Sequence, residues 1–222
     1  MLANSLLFSS CTKTVDSNNS GTTVTDKCYL KVFDFTNTST TYSTVIIGPD
    51  KKSYVFTPGI DTLYNEIPSG ISLAKVEAFG TGYLYSPTSV NLSTGNFFTS
   101  FIYNQSNNVP GIGFIADDLT IPPPSYARVR VLYFLSPGAT NLPTNVGIAN
   151  ATDTLMTYNR TDVDFVRVAP LTAFRPVKAS IYSVYANNSV VGVISLTGGS
   201  IYTLVINKIA NTAFAYTLYT NR

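Results

Sequence analysis

The residues of this chain that could do chemistry are two cysteines, Cys11 and Cys28, two carboxylate pairs, Asp117-Asp118 and Asp162/Asp164, and fifteen tyrosines, with no histidine to accompany them. Without an imidazole there is no Ser-His-Asp or Cys-His nucleophile pair and no His-containing zinc site. Three chemistries remain. Paired acids about 5 to 10 Å apart can hydrolyse a glycosidic bond, clustered oxygens can hold calcium, and tyrosine rings can stack on sugars or partner side chains. Asp162 and Asp164 alternate on one strand face, but nothing in the sequence brings a third acid or a pocket to them. Asp117-Asp118 reads as a solvated pair, with a contribution to a calcium site as the alternative. Tyrosine has high strand propensity, so most of the fifteen are expected in sheets. Tyr182 and Tyr185, beside the polar loop at residues 186–189, are the candidates for exposed stacking rings. Neither a metal nor a cofactor is expected.

The cysteines suggest a different kind of chemistry. Residues 1 to 10 are apolar and small and stop at Cys11. Leu7-Phe8-Ser9-Ser10-Cys11 resembles a bacterial lipobox, which makes Cys11 the expected lipidation site. The ten preceding residues lack the basic region of a full export signal, which points to a start further upstream or a trimmed chain. Residues 12–26 are rich in Ser, Thr, Asn and Gly, have almost nothing to bury, and read as a flexible tether. Several acyl chains on one cysteine would hold the protein firmly, at about 0.8 kcal/mol per buried methylene. Cys28 opens an apolar strand and is expected to be a small buried hydrophobe; a Cys11–Cys28 disulfide is an option only if Cys11 is not acylated. Asp61-Thr62-Leu63 and Asp153-Thr154-Leu155 resemble the Asp-Ser/Thr-apolar acceptor of a bacterial O-glycosylation system, which marks Thr62 and Thr154 as candidate glycan sites.

Hydrophobic residues make up 45% of the chain and charged residues 12%, so there is ample material for a core under a surface made polar by Thr, Ser, Asn and Tyr. The net charge is +2, with Lys and Arg scattered singly. No basic stripe could neutralise a run of phosphates, and nucleic acid is not an expected partner. No run approaches the roughly 18 apolar residues of a membrane-spanning helix.

The elements that must position these residues are strands. Residues 30–37, LKVFDFTN, and 127–136, ARVRVLYFLS, carry one pattern at an offset of 99, pairing Val32 with Val131 and Phe35 with Phe134. At the same offset Gly48 aligns with Gly147, whereas Gly95-Asn96-Phe97 aligns with Gly199-Ser200-Ile201 at 104, which requires an insertion of five residues between them. The chain therefore divides into a signal remnant and tether (1–26), repeat one (27–119), a Pro-rich linker (120–125) and repeat two (126–222). In repeat one, strands are expected from Cys28 and at 44–47, 53–57, 63–67, 72–79, 90–92, 96–103 and 114–119. In repeat two they are expected at 127–136, 166–168, 177–185, 189–196, 201–207 and 213–219. Period-two alternation and Gly/Pro/Asn turns every 8 to 12 residues predict an all-β chain of two tandem antiparallel β-sandwich domains of Ig-like or Greek-key type. Pro122-Pro123-Pro124 predicts an extended polyproline II connection that keeps the units adjacent.

The stretches at 127–142 (ARVRVLYFLSPGATNL) and 196–206 (LTGGSIYTLVI) resemble the domain of unknown function 4397, found in exported proteins and common in lipoproteins of the Bacteroidota. The resemblance covers repeat two and, more loosely, repeat one. It implies an extracytoplasmic β-sandwich and supplies no activity. The expected protein is a non-catalytic cell-envelope lipoprotein. Its partners would be the outer membrane, reached through the anchor at the cell surface or the periplasmic face, and a glycan or envelope protein ligand. The alternatives are a subunit of a fimbria-like surface assembly and a carboxylate-dependent glycan hydrolase.

Overall fold

The computed structural model describes residues 26–36, 40–58, 63–78, 81, 83–104, 109–135, 145–158, 173–208 and 214–221. Among these there are sixteen strands and no helix. The first eight are β1 (Lys27–Asp34), β2 (Tyr42–Ile47), β3 (Ser53–Phe56), β4 (Asn65–Pro68), β5 (Gly70–Ala78), β6 (Tyr83–Leu92), β7 (Phe97–Asn104) and β8 (Pro110–Asp117). They form two sheets ordered β4-β1-β7-β8 and β3-β2-β5-β6. The second eight are β9 (Tyr126–Leu135), β10 (Asn145–Ala149), β11 (Thr154–Tyr158), β12 (Arg175–Lys178), β13 (Ile181–Ala186), β14 (Ser189–Ser195), β15 (Ile201–Lys208) and β16 (Phe214–Thr220). They repeat that plan strand for strand as β12-β9-β15-β16 and β11-β10-β13-β14. The all-β expectation of two sandwiches is met, with one addition. The β1/β7 and β9/β15 pairs run parallel, inside sheets that are otherwise antiparallel.

Alternation explains the outer sheets. Along β13 the residues alternate between the core and the outside, and Tyr182, Val184 and Ala186 are buried, as a strand with one buried face requires. β1 departs from it: Leu30, Lys31, Val32 and Phe33 are all buried. One of its faces joins Cys28, Leu30 and Val32 to the core of the first sandwich. The other carries Phe33 into a separate cluster with Phe101, Leu132 and Val205, residues drawn from both repeats. A third core of fifteen buried residues, centred on Val129, Val184 and Leu204, fills the second sandwich. The molecule is therefore a stack of four sheets, in which β1 and β9 lie in the two inner layers.

Two sequence alignments fare differently. Gly95 and Gly199 both adopt positive φ, +73° and +77°, and donate equivalent backbone hydrogen bonds to Lys27 O and Tyr126 O, so the 104-residue offset holds. Gly48 and Gly147 are not equivalent. Gly48 lies in the turn after β2, whereas Gly147 is inside β10 opposite Met156 and Tyr185. The residue of β10 that stands where Ile46 stands in β2 is Ile148, since Ile46 faces Ala74 of β5 and Ile148 faces Val184 of β13. The length difference is thus spread over several loops. The linker also departs from a fully extended path: Tyr126 N donates to Pro123 O at 2.9 Å, closing a turn with Pro124 at the position where its fixed φ is favourable. The strand expected at 166–168 lies outside the described residues.

Candidate functional site

Among the described residues the densest polar constellation lies between the two inner sheets. Arg130, from the middle of β9, is completely buried, as is the side chain of Asp117 at the end of β8. Arg130 Nη1 donates to Asp117 Oδ1 at 2.5 Å, Nη2 to Thr99 Oγ1 at 2.7 Å, and Nε to Thr203 Oγ1 at 2.8 Å. Asp117 Oδ2 accepts from Thr99 Oγ1 and from Tyr64 Oη, both at 2.6 Å. Thr203 Oγ1 donates in turn to Asn221 Oδ1 at 2.8 Å, and Asn221 Nδ2 donates to Tyr64 Oη at 3.2 Å. The chain of donors and acceptors closes on itself and crosses between the two repeats at Arg130 with Asp117 and Thr99 and at Asn221 with Tyr64. Phe174 covers the guanidinium with its ring centroid 4.5 Å from Cζ, a cation–π contact that compensates part of the lost hydration.

Lys31, from β1, completes the cluster. It is 4% exposed, and its Nζ reaches Thr220 O at 3.5 Å and lies over the rings of Phe33 and Tyr64. Burial lowers its pKa, and the Arg130 charge lowers it further, against the opposing pull of Asp117. The Tyr64 phenol is pushed well above its ordinary value, first by burial and then by the Asp117 carboxylate it bonds to. Both shifts follow from ionisable groups held away from water.

Chemically the arrangement ties elements together. Each oxygen of Asp117 is occupied by donors from the protein, and each guanidinium nitrogen of Arg130 donates to a side chain that is itself bonded. A shallow cleft of about 560 Å³ opens beside it between Asn96-Phe97 and residues 116–120. There Asp118 turns away from Asp117: its carboxylate pairs with Arg128 at 2.7 Å, while Arg128 Nη1 also donates to the carbonyls of Asp118 and Thr120. The bond from Arg128, followed by those from the Thr120 hydroxyl and amide to the same carboxylate, depresses the Asp118 pKa well below the usual carboxylate range. Asp117-Asp118 is therefore neither a solvated pair nor a calcium cluster. Asp117 ends β8 with its side chain buried, Asp118 follows with its side chain exposed, and each acid has its own arginine. Among the described residues no group of three or more His, Cys, Asp or Glu could hold a metal.

The residues singled out from the sequence fall elsewhere. Tyr182 is fully buried in the second core, so it presents no face to a ligand. Its Oη donates to Lys178 O at 2.9 Å and meets Asp153 Oδ2 at 3.2 Å, and its pKa is pushed up to about 12 by burial and then by that carboxylate. Tyr185 is half-buried in the outer sheet. The two do not form a shared stacking platform, because alternation sends Tyr182 inward. Thr154 is exposed at the start of β11, an edge strand; Cys11, Thr62, Asp162 and Asp164 lie outside the described residues. Cys28 is a free, fully buried thiol, as expected, and burial pushes its pKa up to about 11. The sequence reading passed over Lys31, Tyr64, Thr99, Arg130, Thr203 and Asn221. One signal was present: Lys31 and Arg130 sit at the same place in the two aligned strands, each a cation flanked by apolar residues.

No protein-family model and no curated protein matches this chain. Among solved structures it is similar to the Bacillus anthracis TIE protein, at 11% identity over 83% of this chain and 34% of that one, with a TM-score of 0.25.

Proposed function

We propose that this chain is a cell-envelope lipoprotein, related to the domain of unknown function 4397, that works without catalysis as a rigid two-module binding or structural body on a lipid tether. The observation that carries this reading is the saturation of the buried polar cluster. Among the described residues the one fully buried carboxylate, Asp117, and the one fully buried guanidinium, Arg130, are consumed in joining the repeats. Buried ion pairs that hold two elements in one arrangement are a device for specificity of assembly. The lipobox-like sequence before Cys11 and the polar stretch at 12–26 supply an anchor and a tether for that body, and a glycan or envelope protein is the ligand class in keeping with such a location.

The test is metabolic labelling with an alkyne fatty acid in the native host, with the gene at its own locus. The expected result is a labelled protein in the membrane fraction that becomes unlabelled and soluble in the Cys11→Ala variant. Label that survives the substitution, or an unmodified Cys11 by peptide mass, overturns the anchor. The fimbria-like alternative requires a site for a strand from another subunit. Each described sheet has four hydrogen-bonded strands without an interior gap, so strand addition would have to use a sheet edge.

A further inference from the structure

The positions that meet between the repeats come in matched pairs. The strand registers fix the equivalences. Leu30 faces Asn65 on one side and Phe98 on the other, as Val129 faces Arg175 and Tyr202. Phe97 is opposite Asp117, as Ile201 accepts from the backbone of Asn221. By these registers Lys31 corresponds to Arg130, Tyr64 to Phe174, Thr99 to Thr203 and Asp117 to Asn221. All eight belong to the polar cluster. Within each repeat the contacts that present these side chains to the joint correspond as well: Thr99 bonds Asp117 as Thr203 bonds Asn221, and Lys31 lies over Tyr64 as Arg130 lies over Phe174. The apolar part of the interface obeys the same rule, with Phe33 matched to Leu132, Phe101 to Val205 and Ile115 to Tyr219. An interface in which the same positions are used from both sides is isologous, the arrangement of a two-fold homodimer.

We infer that this surface is a self-association surface whose fitting partner is a second copy of the module, held within one chain as an internal pair that has lost one of its two symmetric ion pairs. In the symmetric arrangement each cation of β1 or β9 would meet the acid at the end of the other module. Arg130 meets Asp117. Lys31 meets the backbone of Thr220, next to Asn221, where the acid has become an amide. Among the described residues Lys31 has no ion-pair partner. The charge pattern also ranks the pairings. Repeat one against repeat one would set Lys31 against Asp117 twice and leave no buried charge uncompensated. Repeat two against repeat two would bury two guanidiniums opposite two amides, which is strongly disfavoured. This inference does not depend on the lipid anchor or on any ligand.

Moving the carboxylate tests it in the full chain. Asp117→Asn should lower the melting temperature by roughly 10 °C, the shift that loss of one partner of a buried ion pair produces in a chain of this size. Adding Asn221→Asp to that variant restores an acid, now opposite Lys31, and should recover at least half of the loss. No recovery would mean that position 221 does not stand to Lys31 as position 117 stands to Arg130, and the inference fails. A second measurement holds if these variants fold poorly: a protease site placed within residues 120–125 of the folded protein, cleavage, and native mass spectrometry at micromolar concentration. The halves should remain paired, with repeat-one homodimers as the second species and repeat-two homodimers absent. Separate monomers, or repeat-two homodimers as abundant as those of repeat one, would overturn it.

Discussion

Arg130 shows why a buried charge has to be read together with its partners. Replacing it with Met leaves Asp117 buried without its cation, facing only two hydroxyl donors, and should destabilise the protein by about 3 to 5 kcal/mol. Replacing both, as Arg130→Met with Asp117→Leu, should cost far less than the single change. Urea unfolding of the three proteins checks this; a double variant as unstable as Arg130→Met would mean that the cluster matters through packing alone. A smaller imbalance separates the two cores. Thr44, Ser72 and Ser100 bury hydroxyls without a hydrogen-bond partner in the first sandwich, where registers place Val146, Tyr182 and Leu204 in the second. Thr44→Val and Ser100→Ala should each stabilise by about 1 kcal/mol, read as a higher urea midpoint, since an unpaired buried hydroxyl costs about that much. Cys28 was legible because a small apolar residue opening an alternating strand has one natural place. Tyr182 was misjudged because alternation alone does not say which phase is the inner one, and a nearby polar loop is weak evidence for exposure.

At the scale of elements, the strands that alternate cleanly were readable and those interrupted by special backbone were not. The expected hairpin strand at 90–92 is only the end of β6, which begins at Tyr83. Pro87 breaks the sequence signal there, and the chain accommodates it with Ser86 at φ 46° and a register shift against β5, the signature of a bulge. Repeat two kept its glycine turn at Gly199 but placed a neighbour, Gly198, against the linker: a methyl group there would overlap the Pro124 carbonyl oxygen. Gly198→Ala therefore has to push the linker away from the sheet and should cost about 1 to 3 kcal/mol. Faster hydrogen exchange at Tyr126 and Ala179, whose amides bond to Pro123 O and Ser125 O, should accompany the loss. Unchanged exchange at both amides would place the strain elsewhere. The linker composition announced stiffness, but only the packing reveals that a glycine 74 residues later makes room for it.

For the whole molecule, the duplication was legible and the way the copies join was not, because the sequence marks which residues alternate but not which outer faces meet. The joint makes a pH dependence. The Lys31 pKa is lower in the folded protein than its ordinary 10.5. Between those values the unfolded chain binds the extra proton, so stability should rise with pH across that window. Tyr64 acts in the opposite sense, its raised pKa making stability fall as pH climbs past the ordinary 10.0. Lys31→Met should be more stable than the natural protein at pH 7, with the gap closing toward pH 10.5; a gap that stays constant would mean Lys31 stays charged throughout. The same joint decides how the protein unfolds. Each sandwich has its own core, and two domains touching through a polar patch would melt independently. Here Phe33, Phe101, Leu132 and Val205 are all at most 5% exposed between them, and the ion pair is embedded in that apolar ground, so opening the joint exposes both at once. Natural protein should therefore give a single calorimetric transition. Phe33→Ala with Phe101→Ala removes the larger half of this layer at a cost of about 3 to 5 kcal/mol for each ring while leaving both sandwich cores untouched, and should split the transition into two. A single transition that merely moves to lower temperature would show that the two cores are coupled through some other contact, and the inner sheets would lose their role as the place where one module senses the other.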